Sequence, residues 1–583
     1  MMLQETYPNG IWLIDFEFRP EGGVDGGTTE VVCLVAREYF SGQLLRYWQD
    51  DLAQMSSAPF PTDDKAIVLA FYASAEMGAF LALGWDIPTN ILDLFIVFRG
   101  HLNGLKTQFG FTLIGALSYF GIPSITDDEK DKGRSLALRG GPWTEDEKTY
   151  LLDYCQRDVD ALKPLFEKLL PYIDWPRIFL HGAYTAAAAH IERTGIPVDM
   201  ETLGAIKAEW YEIITKLIGE IDVQYGVYEG TVFKLKKFED YLSKAGIPWP
   251  RLISGQLDLT DETFKDMARI YPVLSPLREL RVTLSQSRDI KLPVGLDGRN
   301  RTLLSCFRSI TGRNQPSTSR FIFGNASWWR GLIKPQPGWG LAYVDYSQQE
   351  FGIAAALSGD ENMMAAYKSG DPYLSFAKQV GAVPPDATKK SHPNEREQFK
   401  QCILATQYGM GAASLAARIN QPEVYARELL KYHRQAYKDF WAWSDRVVDH
   451  AVITDRLWTV FNWGLRVGAD VNERSLRNFP MQANGAEMLR LACIMATQAG
   501  IRVCAPVHDA LLIEAPLDVL DETVVKVQQI MKEASAIILG GFELTTDAKL
   551  IRYPDRYMDP RGIQMWNTIM KLAGLHDKVH SGD

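Results

Sequence analysis

The sequence predicts a multidomain protein of the α/β (α+β) class. Its 583 residues are 46% hydrophobic, which is enough apolar material for several cores. Short apolar runs typical of buried strands occur at 11–18 and 341–346, and helical periodicity follows each of them. From 176 to about 300 the pattern is mostly helical and is broken at Gly-Ile-Pro sequences.

Composition excludes several classes of protein. No run of about 18 apolar residues occurs, and the first ten residues do not resemble a secretory signal, so we expect a cytoplasmic protein without a membrane span. The six cysteines form no Cys-x-x-Cys pair, which argues against a disulfide framework or a zinc ribbon. A net charge of -10 does not by itself indicate a nucleic-acid partner, although acid clusters that hold cations are negative until loaded.

The N-terminal third carries acids with regular spacing. In IWLIDFEF, Asp15 and Glu17 are two residues apart, so a strand places both on one face. Buried carboxylates side by side repel unless a cation lies between them. Tyr154 and Asp158, four apart on a predicted amphipathic helix, also share a face. Between them, a buried strand leads to a helix that starts near Glu76. The alternative to a cation site is that Asp15 and Glu17 form a pair of acids at a strand end that points to solvent.

Two further acids lie at strand ends in the second half of the chain. An apolar segment ends at Asp345, and a helix of small residues follows from Glu350. In CAPVHDALLIEAP, two apolar strands flank His508 and Asp509 at a tight turn. A His-Asp pair at a turn is commonly structural. Two carboxylates from neighbouring strands can, however, bind two metal ions about 3.5–4 Å apart.

One predicted helix carries a stripe of mixed character. In REQFKQCILATQYGMGA, every fourth side chain falls on the same slowly drifting face, and these residues are Arg396, Lys400, Leu404 and Tyr408. The cations occupy the N-terminal half and the apolar groups the other half. That order suits a triphosphate at one end and a base at the other.

The segment 341–360 resembles motif A of the family A DNA polymerases, the DNA polymerase I type, and the turn at Asp509 resembles motif C. The resemblance implies that Asp345 and Asp509 hold both catalytic metals, with Tyr346 in the same metal-binding set. It also implies that Glu350 screens the sugar and selects DNA over RNA.

The Arg396–Tyr408 stripe resembles motif B of the fingers helix. The resemblance implies that Arg396 and Lys400 hold phosphates, that Lys400 can protonate the departing pyrophosphate, and that Tyr408 stacks near the template base or the insertion site. Leu404 stands where the family has Phe or Tyr, against the sugar. Discrimination at the 3'-hydroxyl is therefore left open.

Several polar residues resemble the family's DNA contacts. The loop around Arg313 is similar to the segment that reaches the minor groove near the primer terminus, where paired bases all offer acceptors. The four-residue repeat in 470–490 is similar to the helix that touches template and primer. The implied DNA-binding residues are Arg313, Arg474, Asn478, Gln482 and His508.

The N-terminal acids resemble those of a ribonuclease H-like 3'-5' proofreading exonuclease. The resemblance implies a two-metal nuclease in which a tyrosine orients the attacking water. Its catalytic residues are Asp15, Glu17, Glu76, Tyr154 and Asp158, and the metal ligands among them are Asp15, Glu17 and Asp158. The family usually has Asp where this chain has Glu76, and Asp93 is the alternative third acid.

The resemblance divides the chain into five parts. These are an exonuclease domain (1–175), a thumb (176–305), a first part of the palm (306–370), fingers (371–455) and a second part of the palm (456–583), without a 5'-nuclease.

The implied function is template-directed DNA synthesis with proofreading, which requires two Mg²⁺ ions per site, with Mn²⁺ as a substitute. The partners are primer-template DNA, dNTPs and a single-stranded 3' end, and the protein acts as a monomer. The DYSQQEFG and HDA variants resemble phage-encoded members, which implies phage genome replication in the host cytoplasm. A single-subunit RNA polymerase and a non-catalytic DNA-binding protein remain the alternatives.

Overall fold

The computed structural model describes residues 2–123, 127–286, 292–468 and 472–575. It confirms the predicted mixture of helices and sheets, with one five-stranded and one four-stranded sheet. Within these ranges, none of the helices combines the length and apolar character that a membrane crossing needs.

The N-terminal region is built around the five-stranded sheet. Its strands are β1 (Ile11–Pro20), β2 (Thr29–Glu38), β3 (Leu44–Trp48), β4 (Ile67–Ala70) and β5 (Ile91–Asp93). Its helices are α1 (Met2–Thr6), α2 (Gln49–Leu52), α3 (Ala73–Leu83), α4 (Leu94–Leu102), α5 (Leu113–Tyr119), α6 (Asp127–Arg139) and α7 (Glu145–Leu169), after which α8 (Trp175–Thr194) leaves the region.

Alternation along β1 explains why this sheet is covered on both faces. The strand order is β3-β2-β1-β4-β5, with β1 antiparallel to β2 and parallel to β4. Ile11 and Leu13 enter one hydrophobic core, while Trp12 and Ile14 enter the other. Successive side chains of a strand point to opposite faces, so both cores are fed by the same run of apolar residues.

The middle region is mostly helical, as the sequence predicts. Its elements are β6 (Ile196–Pro197), α9 (Met200–Ala208), α10 (Trp210–Asp222), β7 (Tyr228–Glu229), β8 (Val232–Phe233), α11 (Leu235–Ala245), α12 (Asp261–Ile270), α13 (Ser275–Gln286) and β9 (Arg299–Asn300).

The C-terminal half holds the four-stranded sheet and most of the long helices. Its strands are β10 (Trp339–Tyr346), β11 (Arg456–Trp458), β12 (Gly464–Arg466), β13 (Arg502–Val507), β14 (Ala510–Pro516) and β15 (Thr546–Arg552). Its helices are α14 (Gln349–Ser358), α15 (Glu361–Lys368), α16 (Pro372–Gln379), α17 (Pro393–Gln407), α18 (Ala412–Ile419), α19 (Glu423–Ala436), α20 (Lys438–Thr454), α21 (Glu473–Gln498), α22 (Leu520–Ile538) and α23 (Ile563–Leu572).

Strand β10 lies inside the four-stranded antiparallel sheet, whose order is β13-β14-β10-β15. Its two faces enter different cores. Ala342 and Val344 belong to the core that α17 and α21 share, whereas Leu341 belongs to the core of the middle region. Tyr343 packs against that second core. The end of β10 that carries Asp345 is therefore supported on both sides.

Helix α8 lies between the two sheets. It packs against α3 and β5 on one side and against α21 and β13 on the other. The side chains at the contact are small: a Cβ on Gly182 would come within 2.1 Å of the Ile91 carbonyl oxygen, and Ala187 to Ala189 are buried. Small residues allow this close approach, so α8 fixes the spacing between the two halves.

A buried ion pair joins the middle region to the central sheet. Arg299 donates to both carboxylate oxygens of Glu514, at 2.8 and 2.7 Å, and the two side chains are 8% and 3% exposed. Glu514 also accepts from the half-exposed Arg502 at 2.7 Å. Removal of one member of a buried pair leaves a charge without compensation, which costs more than loss of an exposed partner.

We expect Glu514→Gln to destabilise the protein by about 3 kcal/mol, because it leaves Arg299 buried without a counter-charge. The matched control is Arg502→Gln, which removes the exposed partner of the same carboxylate and is expected to cost less than about 1 kcal/mol. Urea denaturation of the three proteins measures both values. Equal losses in the two variants would contradict this account.

Candidate metal centres

The first candidate centre is formed by Asp345 and Asp509, which the sheet brings together. Asp345 lies opposite Ala510 in the β10–β14 register, and Asp509 occupies the turn before β14. The Tyr346 N–H donates to the Asp509 carbonyl at 3.3 Å. His508, the exposed residue before Asp509, has φ +58°, so the turn passes through the left-handed region. The predicted hairpin is thus present.

Asp345 is held in an unfavourable environment for a lone carboxylate. Burial first, then the charges of Asp509 and Asp547, raise its pKa to about 7. Its Oδ1 atom is buried and has no hydrogen-bond partner in the described part of the chain. An orphaned buried carboxylate oxygen beside a second carboxylate is a ligand set that suits a hard divalent cation such as Mg²⁺.

Tyr346 can contribute to such a set only through its backbone. Its side chain is buried on the opposite face of β10, where its hydroxyl donates to the Met531 carbonyl at 2.6 Å. The carbonyl of Tyr346 remains the atom that could serve as a ligand.

A third acid near this centre, Asp547, was not among the residues predicted from the sequence. It lies opposite Asp345 on β15, and Ser347 Oγ donates to its carboxylate at 2.8 Å. The signal was a polar residue in the alternating segment TTDAKLIR, but nothing in the sequence says which strand pairs with β10. Asp547 thus supplies a carboxylate near the centre from β15. On the other side of Asp345, the residue after Asp509 is Ala510, which has no carboxylate.

Glu350 and Arg313 approach this centre from two different elements. Glu350 lies in the first turn of α14, and burial raises its pKa, while the charge of Arg313 lowers it. Arg313 follows Gly312, which has φ +73° and whose N–H donates to the Ser309 carbonyl at 3.0 Å. The Nε atom of Arg313 is buried and has no partner in the described residues. The charges of both Arg313 and Asp509 act on Glu350, so Glu350 lies near each of them.

The loop that carries Arg313 is held by residues from distant parts of the chain. Asn103, at the end of α4, donates to the carbonyls of Ile310 and Gly464, both at 2.7 Å. Arg99 donates to the Arg308 carbonyl at 3.1 Å, and Arg490 donates to the Gly312 carbonyl at 2.8 Å. Asn103 is fully buried. These contacts were not predictable from spacing, because they link residues more than 170 positions apart.

The predicted stripe lies on α17. Arg396 forms an ion pair with Asp371, and Lys400 is 42% exposed and 4.0 Å from Glu397. Leu404 packs against the core, and Tyr408 follows the last residue of the helix. The Tyr408 hydroxyl is buried and has no hydrogen-bond partner in the described residues.

Helix α21 presents the other predicted stripe. Arg474 is exposed in its first turn, and Asn478 and Gln482 are half-buried one and two turns later. The Oδ1 atom of Asn478 is buried without a partner among the described residues. A missed neighbour is Gln407, whose Nε2 donates to the Glu350 carbonyl at 2.8 Å. A buried polar atom without a partner, such as Asn478 Oδ1, is typical of a ligand site.

The second candidate centre lies in the N-terminal region. One ligand atom from each of Asp15, Glu17 and Asp158 lies within 4.8 Å of the others. Burial first, then neighbouring carboxylates, raise the pKa of Asp15 and Glu17, and burial raises the pKa of Asp158 to about 6. Asp15 Oδ2 is buried without a partner in the described residues. These carboxylates also fit a divalent cation.

The two alternatives for the third acid differ in their contacts. Asp93 accepts hydrogen bonds from the N–H groups of Tyr72, Ala73 and Phe95, and it caps α4. Glu76 accepts from the Phe16 N–H at 2.9 Å, and after burial the charge of Asp15 raises its pKa. The Asp93 carboxylate already accepts hydrogen bonds from three backbone N–H groups, so the geometry favours Glu76 as the third acid of the centre.

Tyr154 and its neighbours complete this centre. Burial raises the pKa of Tyr154, and its hydrogen bond to Asp158 partly offsets the effect of burial on that carboxyl. Helix α6 covers the ring closely, because a Cβ on Gly133 would come within 2.9 Å of it. Cys155 Sγ donates to the Asp15 carbonyl at 3.1 Å. The structure thus places Tyr154 beside Asp158 on one face of α7, as the four-residue spacing predicts.

Comparison with known proteins links the first centre to one family. Residues 323–550 match the family model for DNA polymerase family A, and this segment contains Asp345, Glu350 and Asp509 together with α17. Residues 1–322 lie outside the match.

Among curated proteins, the thermostable DNA polymerase I of Thermus thermophilus is 26% identical over 454 residues, which cover 72% of this chain and 52% of that protein. DNA polymerase I of Chloroflexus aurantiacus is 26% identical over 401 residues, covering 63% and 41%. The chain spans about half the length of the curated relatives it matches.

A solved structure shares the fold. It is the POL domain of Pol1 from M. smegmatis in complex with DNA primer-template and dNTP, with a TM-score of 0.68 and 19% sequence identity. The similarity covers 94% of this chain and 97% of that one.

We expect Mg²⁺ to stabilise the protein much more at pH 8 than at pH 5.5. The pKa of Asp345 is raised to about 7 and that of Asp158 to about 6, so both must lose a proton before they bind a cation. Because these values lie above the ordinary Asp value of 3.8, the metal-free protein should lose stability as the pH rises from about 4 to about 7.

Thermal unfolding in EDTA and in Mg²⁺ at the two pH values measures the effect. The control is the double variant Asp345→Asn/Asp158→Asn. Its thermal stability should depend less on both pH and Mg²⁺ than that of the unaltered protein. An equal Mg²⁺ increment at pH 5.5 and pH 8 in the unaltered protein would contradict the expectation.

Proposed function

We propose that this chain is a family A DNA polymerase of the DNA polymerase I type, which extends a primer 3' end with dNTPs on a DNA template. The observation that carries the proposal is the pairing of Asp345 with Asp509 at the end of the central sheet, inside the segment 323–550 that matches the family model. The cation stripe of α17 lies in the same segment.

The chemistry is phosphoryl transfer by positioning and charge neutralisation. Divalent cations, Mg²⁺ or Mn²⁺ in its place, would lower the pKa of the primer hydroxyl and neutralise the triphosphate when bound. Asp345, Asp509 and the Tyr346 carbonyl would hold them. The raised pKa of Asp345 means that the protonated acid is favoured when no cation is bound, and the charge of a bound cation would favour the carboxylate.

The incoming nucleotide would bind along α17. Arg396 and Lys400 would contact its phosphates, Lys400 would donate a proton to the leaving pyrophosphate, and Leu404 and Tyr408 would line the sugar and base. The Nε atom of Arg396 is paired with Asp371, which would orient the guanidinium while its Nη donors contact phosphate.

The duplex would be held by the remaining predicted residues. Arg313, Gln482 and Asn478 would test the minor-groove acceptors that all correct pairs share, and Arg474 and His508 would contact the strands nearby. In this proposal the parts 306–370 and 456–583 form the palm, 371–455 the fingers and 176–305 the thumb.

We also propose a 3'-5' exonuclease in residues 1–175, acting on a single-stranded 3' end. The cluster of Asp15, Glu17 and Asp158 beside Tyr154 supports it, as does the strand order β3-β2-β1-β4-β5, which is that of a ribonuclease H-like sheet. Glu76 would be the fourth acid. Linked to the polymerase, this activity would proofread.

The biological setting is part of the proposal. The motif variants DYSQQEFG and HDA are similar to those of phage members of the family, which supports phage genome replication by a monomer in the host cytoplasm.

Two single substitutions separate the proposed activities. We expect Asp345→Ala to reduce primer extension by roughly 10³-fold or more and to leave shortening of a 3'-labelled single strand intact, because only one metal centre is lost. Asp158→Ala should give the opposite pattern. Retained extension in Asp345→Ala would refute the polymerase assignment, and an unaltered protein that leaves the single strand intact in Mg²⁺ would refute the nuclease.

The alternative of an RNA polymerase is tested at Glu350. We expect the unaltered protein to prefer dNTPs, and Glu350→Ala to lose roughly 100-fold of its preference, because the half-buried carboxylate would no longer exclude a 2'-hydroxyl. Steady-state incorporation of dATP and ATP opposite template thymine measures the ratio. The matched control is Glu361→Ala, which removes an acid from the first turn of the next helix and should leave the ratio unchanged. A preference for ATP in the unaltered protein would favour the alternative.

A further inference from the structure

The chain continues past the matched segment with a folded C-terminal segment, residues 553–575. An irregular stretch leads to α23, which packs against α10 and against the 3-10 helix Ser327–Leu332. Helix α23 buries Met565, Trp566, Ile569 and Met570. The segment is therefore part of the folded body beside the central sheet.

Close contacts fix the path of this segment. A Cβ on Gly562 would lie 2.5 Å from backbone atoms of Ser327 and Trp328. Arg556 donates to the Gly331 carbonyl and to the Asp199 carboxylate, both at 2.9 Å. Because these contacts involve backbone and a buried ion pair, the residues between 556 and 562 have little freedom to move.

Tyr557 brings the segment to the first metal centre. Its N–H donates to the Ile333 carbonyl at 2.9 Å, and its ring centroid lies 5.6 Å from that of Tyr343. Tyr343 precedes Asp345 by two residues on β10, so the two side chains share a face. Burial raises the pKa of Tyr557, and the charges that act on it include Asp345 as well as Arg330 and Arg561.

A small charge cluster follows Tyr557. The buried carboxylate of Asp559, 5% exposed, pairs with the guanidinium of Arg330 and accepts from Arg561 Nε at 3.0 Å and Nη2 at 2.8 Å. Burial opposes ionisation of Asp559, but the hydrogen bonds and charges of the two arginines lower its pKa to about 2. One carboxylate between two guanidiniums leaves a net charge of about +1.

The surplus charge is exposed at one place. The Arg330 side chain is 12% exposed and also donates to the Phe323 carbonyl at 3.0 Å. The Arg561 side chain is 73% exposed, and its Nη1 makes no hydrogen bond to the described part of the chain. Asp559 holds the guanidinium in a fixed orientation, which reduces the entropy lost when a ligand binds.

We propose that Arg561 binds a phosphate of the primer strand close to its 3' end. The inference deepens the proposed function and rests on it. The C-terminal segment, outside the match at 323–550, would thereby supply part of the DNA-binding surface of the polymerase.

The primer is favoured over the triphosphate because Tyr557, beside the Arg561 cluster, and the helix with the proposed triphosphate ligands belong to different hydrophobic cores. Helix α17, which carries the proposed triphosphate ligands, packs in the core that contains Ala342 and Val344. Tyr557 packs in the core that contains Leu341, on the face of Asp345. A primer hydroxyl must approach Asp345, so the phosphates behind it pass near Tyr557 and Arg561.

The first test is the salt dependence of DNA binding. Loss of one phosphate contact should reduce the slope of log K against log salt by about 0.9 and weaken binding roughly fivefold near 0.1 M salt. Fluorescence anisotropy with a labelled primer-template compares the unaltered protein with Arg561→Gln. The matched control is Arg427→Gln, which removes an arginine that is 70% exposed and paired with Glu423 at 2.7 Å.

The second test locates the phosphate. Single methylphosphonates, which remove the charge of one phosphate, are placed at each of the last six primer linkages and, separately, at template linkages. We expect one primer linkage at which the substitution weakens binding of the unaltered protein and of Arg427→Gln but not of Arg561→Gln. Arg561→Lys should restore part of the salt slope, because the positive charge returns.

The outcomes separate this inference from the proposed function. An unaltered protein that does not extend primers would overturn the proposed function. If extension occurs but Arg561→Gln keeps the full salt slope, or its sensitivity moves to a template linkage, the assignment of Arg561 to the primer is wrong. A changed KM for dNTP with unchanged DNA affinity would place Arg561 at the triphosphate and would also overturn it.

Discussion

Carboxylates of like charge held side by side, out of water, are the constraint on which the rest of this structure depends. In both centres the strands hold the carboxylates in place. Asp15 and Asp345 project from apolar strands that cannot move without exposing a core, so the acids cannot separate to relieve their repulsion. The fold therefore holds an unfavourable arrangement that a bound cation relieves, and such a loss of stability is common at functional sites.

The sequence alone was sufficient to predict features that depend on the repeat of side chains within one strand or one helix. Alternation located Asp15, Glu17 and Asp345 on strands, and four-residue spacing located Arg396 and Tyr154 on helix faces. Those features follow from geometry within one element.

Features that depend on pairing between distant elements were not accessible in this way. Asp547 became a neighbour of Asp345 only through the β10–β15 register, and Asp93 could be set apart from Glu76 only when its three N–H donors were visible. The cluster of Arg330, Asp559 and Arg561 joins residues more than 200 positions apart.

Strand β10 joins two of the hydrophobic cores. Its side chains alternate between the core that contains α17 and α21 and the core of the middle region. Asp345 lies at the end of this strand, so the packing of both cores fixes its position.

The hydrogen bonds from Arg99 and Asn103 to the loop before Arg313 have a consequence for protein engineering. A fragment that starts near residue 176 would remove α4. The Arg308 carbonyl would lose the Arg99 donor, and the Ile310 carbonyl would lose Asn103 and keep Trp463 Nε1 at 3.1 Å. Such a truncation would retain Asp345, Asp509 and the cations of α17, but the loop that carries Arg313 would keep fewer contacts, among them the bond from Arg490 to the Gly312 carbonyl. Variants without the acids of the N-terminal centre are therefore better made by point substitution than by deletion.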